Sequence, residues 1–169
     1  MPELGRSLTP FMLAAKDART NYDADDQKLH GAMLELGKKY NQEVVGSGRE
    51  SVVIPDPFHN DRIVKIGFFG QTVYDIKTQF YLQSVYSTLF PYNFPHIYGA
   101  FIVKDYRKGN FSQFMQARVE VDSDSKPIHA FQLFSDVAEQ IGIRPILDES
   151  ECNFMVGVDG GEYYVDKFG

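Results

Sequence analysis

Only one cysteine, Cys152, occurs in the 169 residues, so no disulfide can form within the chain, and a reducing, cytosolic setting fits. No apolar run approaches the roughly 20 residues needed to span a bilayer. The start, Met-Pro-Glu-Leu-Gly-Arg, lacks the charged-then-apolar profile of a secretory leader. The expectation is a cytoplasmic protein with no membrane partner. Basic residues are scarce and scattered: 17 Lys and Arg stand against 23 Asp and Glu, a net charge of -6, and no basic tract exceeds two residues. This excludes a protein that coats nucleic acid by neutralising phosphates. The four histidines, His30, His59, His96 and His129, show no ligand spacing, which argues against a structural zinc site. Neither a Gly-x4-Gly-Lys-Ser/Thr phosphate loop nor a Gly-x-Ser-x-Gly elbow occurs, and no internal repeat is visible.

What is present supports a globular core, because 43% of the residues are hydrophobic. One domain is expected, with room for division into two small lobes. Residues 1 to 24 carry Pro2, Pro10 and the polar run Asn21-Tyr22-Asp23-Ala24 around a short apolar helix at Phe11 to Ala15. Asp25 or Asp26 can cap a helix reaching about Tyr40, with Leu29, Met33 and Leu36 at i, i+4 and i+7. That stripe is expected to pack on a sheet, the alternative being a helix for a partner. Strands follow near 43-47, 51-55 and 62-67, with Pro55 to Asp61 as a turn, then a helix near 72-89 bearing Val73, Ile76, Phe80 and Tyr81. After the break at Pro91 to Pro95, strands near 97-103 and 114-121 flank a connection at 104-109. A helix over 128-141 would bury Phe131, Phe134, Val137, Ala138 and Ile141.

The chemistry-bearing residues fall in a particular order. Glu43-Val-Val-Gly46-Ser47-Gly48 leads through Val53 into a strand carrying Lys65. Glycines let backbone amides approach phosphate oxygens closely, and a mid-strand lysine offers a fixed cation to the same phosphates. A glycine pair alone also fits an ordinary turn, and a lone strand lysine also fits a solvent-facing position. Far downstream, Asp148 is followed five positions on by Asn153 and, after thirteen more, by Asp166, with a hairpin closed by Asp159-Gly160-Gly161 between them. An Asp and an Asn on one loop, a hairpin, then a second Asp is the arrangement that phosphoryl-transfer enzymes use to hold magnesium and accept a hydroxyl proton.

On these residues the chain resembles a reduced member of the protein-kinase-like superfamily and is similar to the small protein kinases carried by podophages, from about Val44 to Gly169. The resemblance implies an α+β, protein-kinase-like fold, with an N-terminal five-stranded antiparallel sheet, one main helix and a reduced helical and hairpin segment. The implied organisation is a helical extension over 1-42, an N-lobe over 43-121 and a reduced C-lobe over 122-169. It assigns Gly46, Ser47, Gly48 and Val53 to covering ATP, and Lys65 to its alpha and beta phosphates. Asp148 becomes the proton acceptor, Asn153 and Asp166 the magnesium ligands. A backbone hinge for adenine is implied near Glu120 to Asp124. Cys152 sits within the implied catalytic loop, as a small packed residue.

Departures accompany the matches. Ser51 stands where a third glycine is expected, and Lys167 is inserted in Asp166-Lys-Phe168-Gly169. The helix over 72-89 contains no Glu; Asp75 is its only acid and Gln79 lies nearer the place of the lysine-orienting carboxylate. Ile146-Leu147 replaces the His-Arg pair before the catalytic Asp, and the helical subdomain expected after Gly169 is not part of the sequence. The expected function is ATP- and magnesium-dependent phosphoryl transfer to a protein Ser/Thr hydroxyl. The alternatives are a pseudokinase-like module that inhibits a partner protein, and a nucleotidyl or small-molecule transferase on the same scaffold. The implied partners are accordingly a protein substrate or an inhibited protein, met in the host cytoplasm if the chain is phage-encoded.

Overall fold

Leu8, Phe11, Met12, Ala15 and Ala18 recur at helical spacing and are all buried, so the N-terminal segment folds as one long helix, α1 (Pro2–Asn21). The structure, a computed structural model, describes the backbone of residues 2-22, 25-48, 50-68, 72-105, 109-122, 124, 139-140, 142 and 153-165. The short helix expected at Phe11 to Ala15 is thus corrected to 20 residues, running straight through Pro10. An interior proline costs about 3 kcal/mol through its missing donor and ring clash. Each fully buried large apolar side chain contributes about 1.5–3 kcal/mol, and the stripe continues on both sides of Pro10, so burial wins.

The second helix, α2 (Asp26–Tyr40), begins where the sequence places it. Asp25 is the N-cap, its Oδ1 accepting the Lys28 amide at 3.0 Å, and Leu29, Met33 and Gly37 form its buried stripe. The helix ends at Asn41 in the left-handed conformation (φ 53), and the Gln42 amide returns to the Gly37 carbonyl at 2.8 Å.

Five strands form one sheet in the order β1-β2-β3-β5-β4: β1 (Gly46–Ser47), β2 (Ser51–Asp56), β3 (His59–Gly67), β4 (Ile97–Asp105) and β5 (Gly109–Ala117). Helix α3 (Val73–Leu89) connects β3 to β4. In β2 and β3 burial alternates with period two: Val52, Ile54, Val64 and Ile66 are fully buried in one core with Leu8, Phe11, Met12, Leu29 and Met33. The stripe of α2 therefore packs with the sheet as its spacing indicates, and α1 joins it. The turn expected over Pro55 to Asp61 narrows to residues 57 and 58, because Asp56 Oδ1 accepts the Phe58 amide at 2.8 Å and closes the hairpin early. Pro55 is tolerated within β2 because β1 pairs only with Val52 and Val53, leaving the proline's missing donor without a strand to face.

The chain divides into two compact units, residues 1-77 with 98-116 and residues 78-97 with 117-169, and the division falls inside α3 after Lys77. The second unit is built on aromatic rings. Phe94 lies tilted at 5.4 Å from Tyr86 and 5.9 Å from Tyr164, and Phe154 meets Tyr164 edge-on at 5.2 Å, distances at which ring edges and faces attract. Its hairpin, β6 (Phe154–Val156) and β7 (Glu162–Tyr164), is anchored by the Tyr164 amide donating to the Asn93 carbonyl at 2.8 Å. Of the helix expected over 128-141, residues 139 and 140 are helical, and Gly142 at φ 72 donates its amide to Glu139, as at a helix end. Residues 125-138 lie outside the described residues.

Candidate functional site

Register places three of the expected nucleotide residues in a line. Gly46 on β1 pairs with Val53 on β2, and Val53 pairs with Lys65 on β3. Directly paired residues share a face of the sheet, so these three form one row on the face opposite Val52, Ile54, Val64 and Ile66. Lys65 is half-buried there, its strand position one strand away from Val53 and two from Gly46. No feature of the linear sequence fixes that alignment; it follows from the tight closures of the two hairpins.

Neither Gly46 nor Gly48 is required by packing against the described residues. A Cβ on Gly46 would make ordinary contact with Val53 at 3.7 Å, and one on Gly48 would meet nothing within 4 Å. Neither has a positive φ. Gly48 donates its amide to the Ser51 carbonyl at 2.9 Å, which closes the turn, so its role is to hold the hairpin shape rather than to donate outward. Ser47, paired with Val52, lies on the other face of the sheet, and its hydroxyl is 2.6 Å from His30 Nδ1 on α2. Its side chain therefore faces away from the Lys65 row, and only its backbone belongs with Gly46.

Helix α3 supplies no carboxylate to this row. Asp75 is taken up at the helix start, where its Oδ2 accepts from the Thr72 amide at 2.9 Å and the Thr72 hydroxyl at 2.7 Å, while Thr72 Oγ1 accepts the Asp75 amide. The Thr72 hydroxyl, then its amide, hold the Asp75 carboxyl below the usual range. The signal Thr72-x-x-Asp75 was readable as a capping box. Gln79 is partly buried, and its Oε1 is shielded from water with no hydrogen bond from the described residues.

In the second unit, Asn153 stands at the entrance of the β6–β7 hairpin, and its carbonyl accepts the Val165 amide at 2.8 Å. That pairing extends the hairpin one step beyond Phe154 and Tyr164. Asp148, Cys152, Asp166 and the Asp-Lys-Phe-Gly ending lie outside the described residues. Among the described residues no three His, Cys, Asp or Glu side chains converge as a metal group. The stretch expected to act as a hinge is engaged with the hairpin: the Glu120 carbonyl accepts the Val158 amide at 2.8 Å and the Asp122 amide donates to Val156 at 2.9 Å, around the Val121–Gly157 bridge.

The hairpin turn is clamped by chemistry of its own. Asp159 Oδ1 accepts the Gly161 amide at 3.0 Å and its Oδ2 accepts the Tyr163 hydroxyl at 2.6 Å. The Tyr163 ring lies over Gly157 and Gly161, where a Cβ would come within 2.9 Å of it. The hydrogen bond to Asp159, reinforced by burial, pushes the Tyr163 hydroxyl up to about 12. The same Tyr163 bond, with the Gly161 amide, pulls Asp159 down. The raised phenol stabilises the hairpin fully below its ordinary value near 10 and loses that contribution as pH rises toward 12. The lowered carboxylate contributes above its ordinary 3.8 and fades in acid. A spectrophotometric tyrosinate titration of wild type minus Tyr163→Phe should therefore show one group near pH 12, and Asp159→Asn should bring it back toward 10. A Tyr163 midpoint unmoved by Asp159→Asn would refute the clamp.

Compared with protein-family models and with curated proteins, the chain matches none.

Proposed function

We propose that the protein binds ATP with magnesium and transfers its terminal phosphoryl group to a protein Ser/Thr hydroxyl, as a reduced kinase-like enzyme. The observation that carries this reading is the row Gly46–Val53–Lys65, which sets a glycine hairpin, an apolar contact and a strand cation side by side on one face. The lysine lies on the third strand of the sheet and is followed by a helix, the placement that kinases use for the lysine on the alpha and beta phosphates. Gly48 is further support, since neither φ nor packing against the described residues requires it, and open space where a Cβ would stand admits the close approach of a phosphate.

On this reading Lys65 orients the phosphates, and the backbone around Gly46 and Gly48 covers them. Asp148 accepts the proton of the attacking hydroxyl as its oxygen bonds to phosphorus and ADP leaves. Asn153 and Asp166 would hold magnesium, which supplies positive charge to the phosphate oxygens when bound. The donor set, one carboxylate and one amide oxygen, suits that hard cation.

One observation favours a second reading. Asp75 is committed to its capping box and no Glu exists in α3, so no carboxylate of that helix orients Lys65. A pseudokinase-like module that binds a partner protein would need none. Isothermal titration of ATP with and without magnesium, followed by radiolabel transfer to the protein itself and to a cell lysate, separates the two. Metal-dependent binding with label transfer is the expected result. Binding without transfer selects the module, and no binding at millimolar ATP removes the nucleotide reading altogether.

A further inference from the structure

The stretch that forms the glycine hairpin has very little to hold it. Strand β1 is two residues long, and of residues 46 to 48 only Ser47 has a side chain beyond the backbone. That one side chain is engaged. Its hydroxyl meets His30 Nδ1 at 2.6 Å, across seventeen residues of sequence. The distance is short for a hydrogen bond, and either polarity serves, since a hydroxyl can donate to a bare imidazole nitrogen or accept from a protonated one.

The path of the chain explains how α2 comes to stand behind the hairpin. Asn41 turns the chain in the left-handed conformation, and the Gln42 amide folds back to Gly37. The return is tight enough that a Cβ on Gly37 would lie 2.6 Å from the Gln42 carbonyl oxygen. β1 is thereby laid back along α2, and His30, one residue beyond the buried Leu29, reaches Ser47. Leu29 is fixed in the core, so the helix is a rigid mount for the imidazole. An open hollow of about 230 Å³ lies at this junction, with Asp26, Leu29 and His30 on the helix side and Ser47 and Gly48 on the hairpin side. Room on that side means that, without the bond, the hairpin could tilt toward α2.

We propose that His30 is a positioning residue for nucleotide binding. From α2, through the Ser47 hydroxyl, it sets the height of the glycine hairpin over the phosphates, while the opposite face of the same strand carries Gly46 in line with Lys65. The inference rests on the nucleotide reading and adds to it a residue outside the motif, in the segment that resemblance alone treats as an extension. Because the bond acts on the hairpin that covers phosphate, its loss weakens the hold on phosphate and leaves the hold on the nucleoside alone.

The test compares ATP and adenosine by titration on wild type, His30→Ala, Ser47→Ala and the double variant, with His30→Asn as the conservative replacement. A net hydrogen bond of ordinary strength corresponds to about a three- to tenfold change in an equilibrium constant. The expected result is an ATP dissociation constant raised by about that factor in each single variant, and no further in the double, because both act through one bond. Adenosine affinity stays at the wild-type value, and His30→Asn, whose amide can occupy the place of Nδ1, recovers much of the loss. Additive losses, equal losses for ATP and adenosine, or unchanged ATP affinity would each overturn the positioning role while leaving nucleotide binding in place. If wild type binds neither ligand, the nucleotide reading fails first and this role fails with it.

Discussion

Replacing Phe11 with alanine should lower the free energy of unfolding by about 3–5 kcal/mol. The ring is 1% exposed, lies in the shared core of α1, α2 and the sheet, and meets Tyr40 edge-on at 6.3 Å and 71°. Truncation removes the ring's transfer free energy and leaves a cavity that helices packed on a sheet cannot fully collapse. Small domains are stable by only about 5–15 kcal/mol, so the loss is a large fraction of the total. Circular dichroism suits the measurement, since the chain has no tryptophan. The expected result is a helix signal at 222 nm and a near-ultraviolet tyrosine signal that move together to lower urea. A helix signal lost early while the tyrosine transition stays in place would mean that α1 is detachable from the sheet, and the shared core would be wrong.

That experiment bears on where the sequence was legible. α2 could be read almost to the residue because its signals are local: a capping Asp25, an apolar stripe at i, i+4 and i+7, and an end at Tyr40. α1 looks like a short piece in sequence because Pro10 is a local breaker, and only the tertiary burial of Leu8 on one side and Phe11 on the other overrides it. The same holds for the β2–β3 turn, where Pro55 and Asp56 look like turn residues until the Asp56–Phe58 bond pulls the closure outward. β5 ends at Ala117, four residues before the expected 121, because 120 to 122 pair with the second hairpin through Val156 and Val158. Such pairing depends on residues more than thirty positions away, and alternation within one segment carries no trace of it.

The candidate site divides along the same line. The order of Gly46, Gly48, Val53 and Lys65 is a sequence property, but their alignment in one row is set by register, which depends on where each hairpin closes. Ser47 shows the difference most clearly. In sequence it sits between two glycines of a nucleotide motif, and period-two geometry then turns its side chain to the opposite face, onto a histidine that no motif includes. Asp75 makes the converse point: it is the only acid of α3, and its carboxylate accepts the Thr72 amide and hydroxyl at the helix start, a local signal that the sequence carries as Thr72-x-x-Asp75.

On the proposed kinase-like reading, Lys65→Met should reduce phosphoryl transfer by about 10²–10³-fold, the loss that follows from deleting one preorganised electrostatic contact to a reacting group. Methionine keeps most of the apolar stem of a half-buried strand lysine, and the register Val53–Lys65 is made by backbone groups that the substitution leaves alone. The folded state should therefore survive with its unfolding free energy changed by about 1 kcal/mol or less. Asp166→Asn tests the metal side of the same chemistry: it keeps the size of the side chain, removes its charge, and should abolish magnesium-dependent turnover. Gly48→Ala completes the set from the opposite direction. An added Cβ meets nothing among the described residues within 4 Å, and a glycine replaced at a compatible backbone gains about 0.4–1 kcal/mol of stability. If that space admits phosphate, the same methyl group must weaken ATP binding, so stability and affinity should move in opposite directions. A Gly48→Ala protein that is no less stable and binds ATP as wild type does, beside a Lys65→Met protein that still transfers label, would reduce the row to plain sheet structure and leave the binding module as the surviving reading.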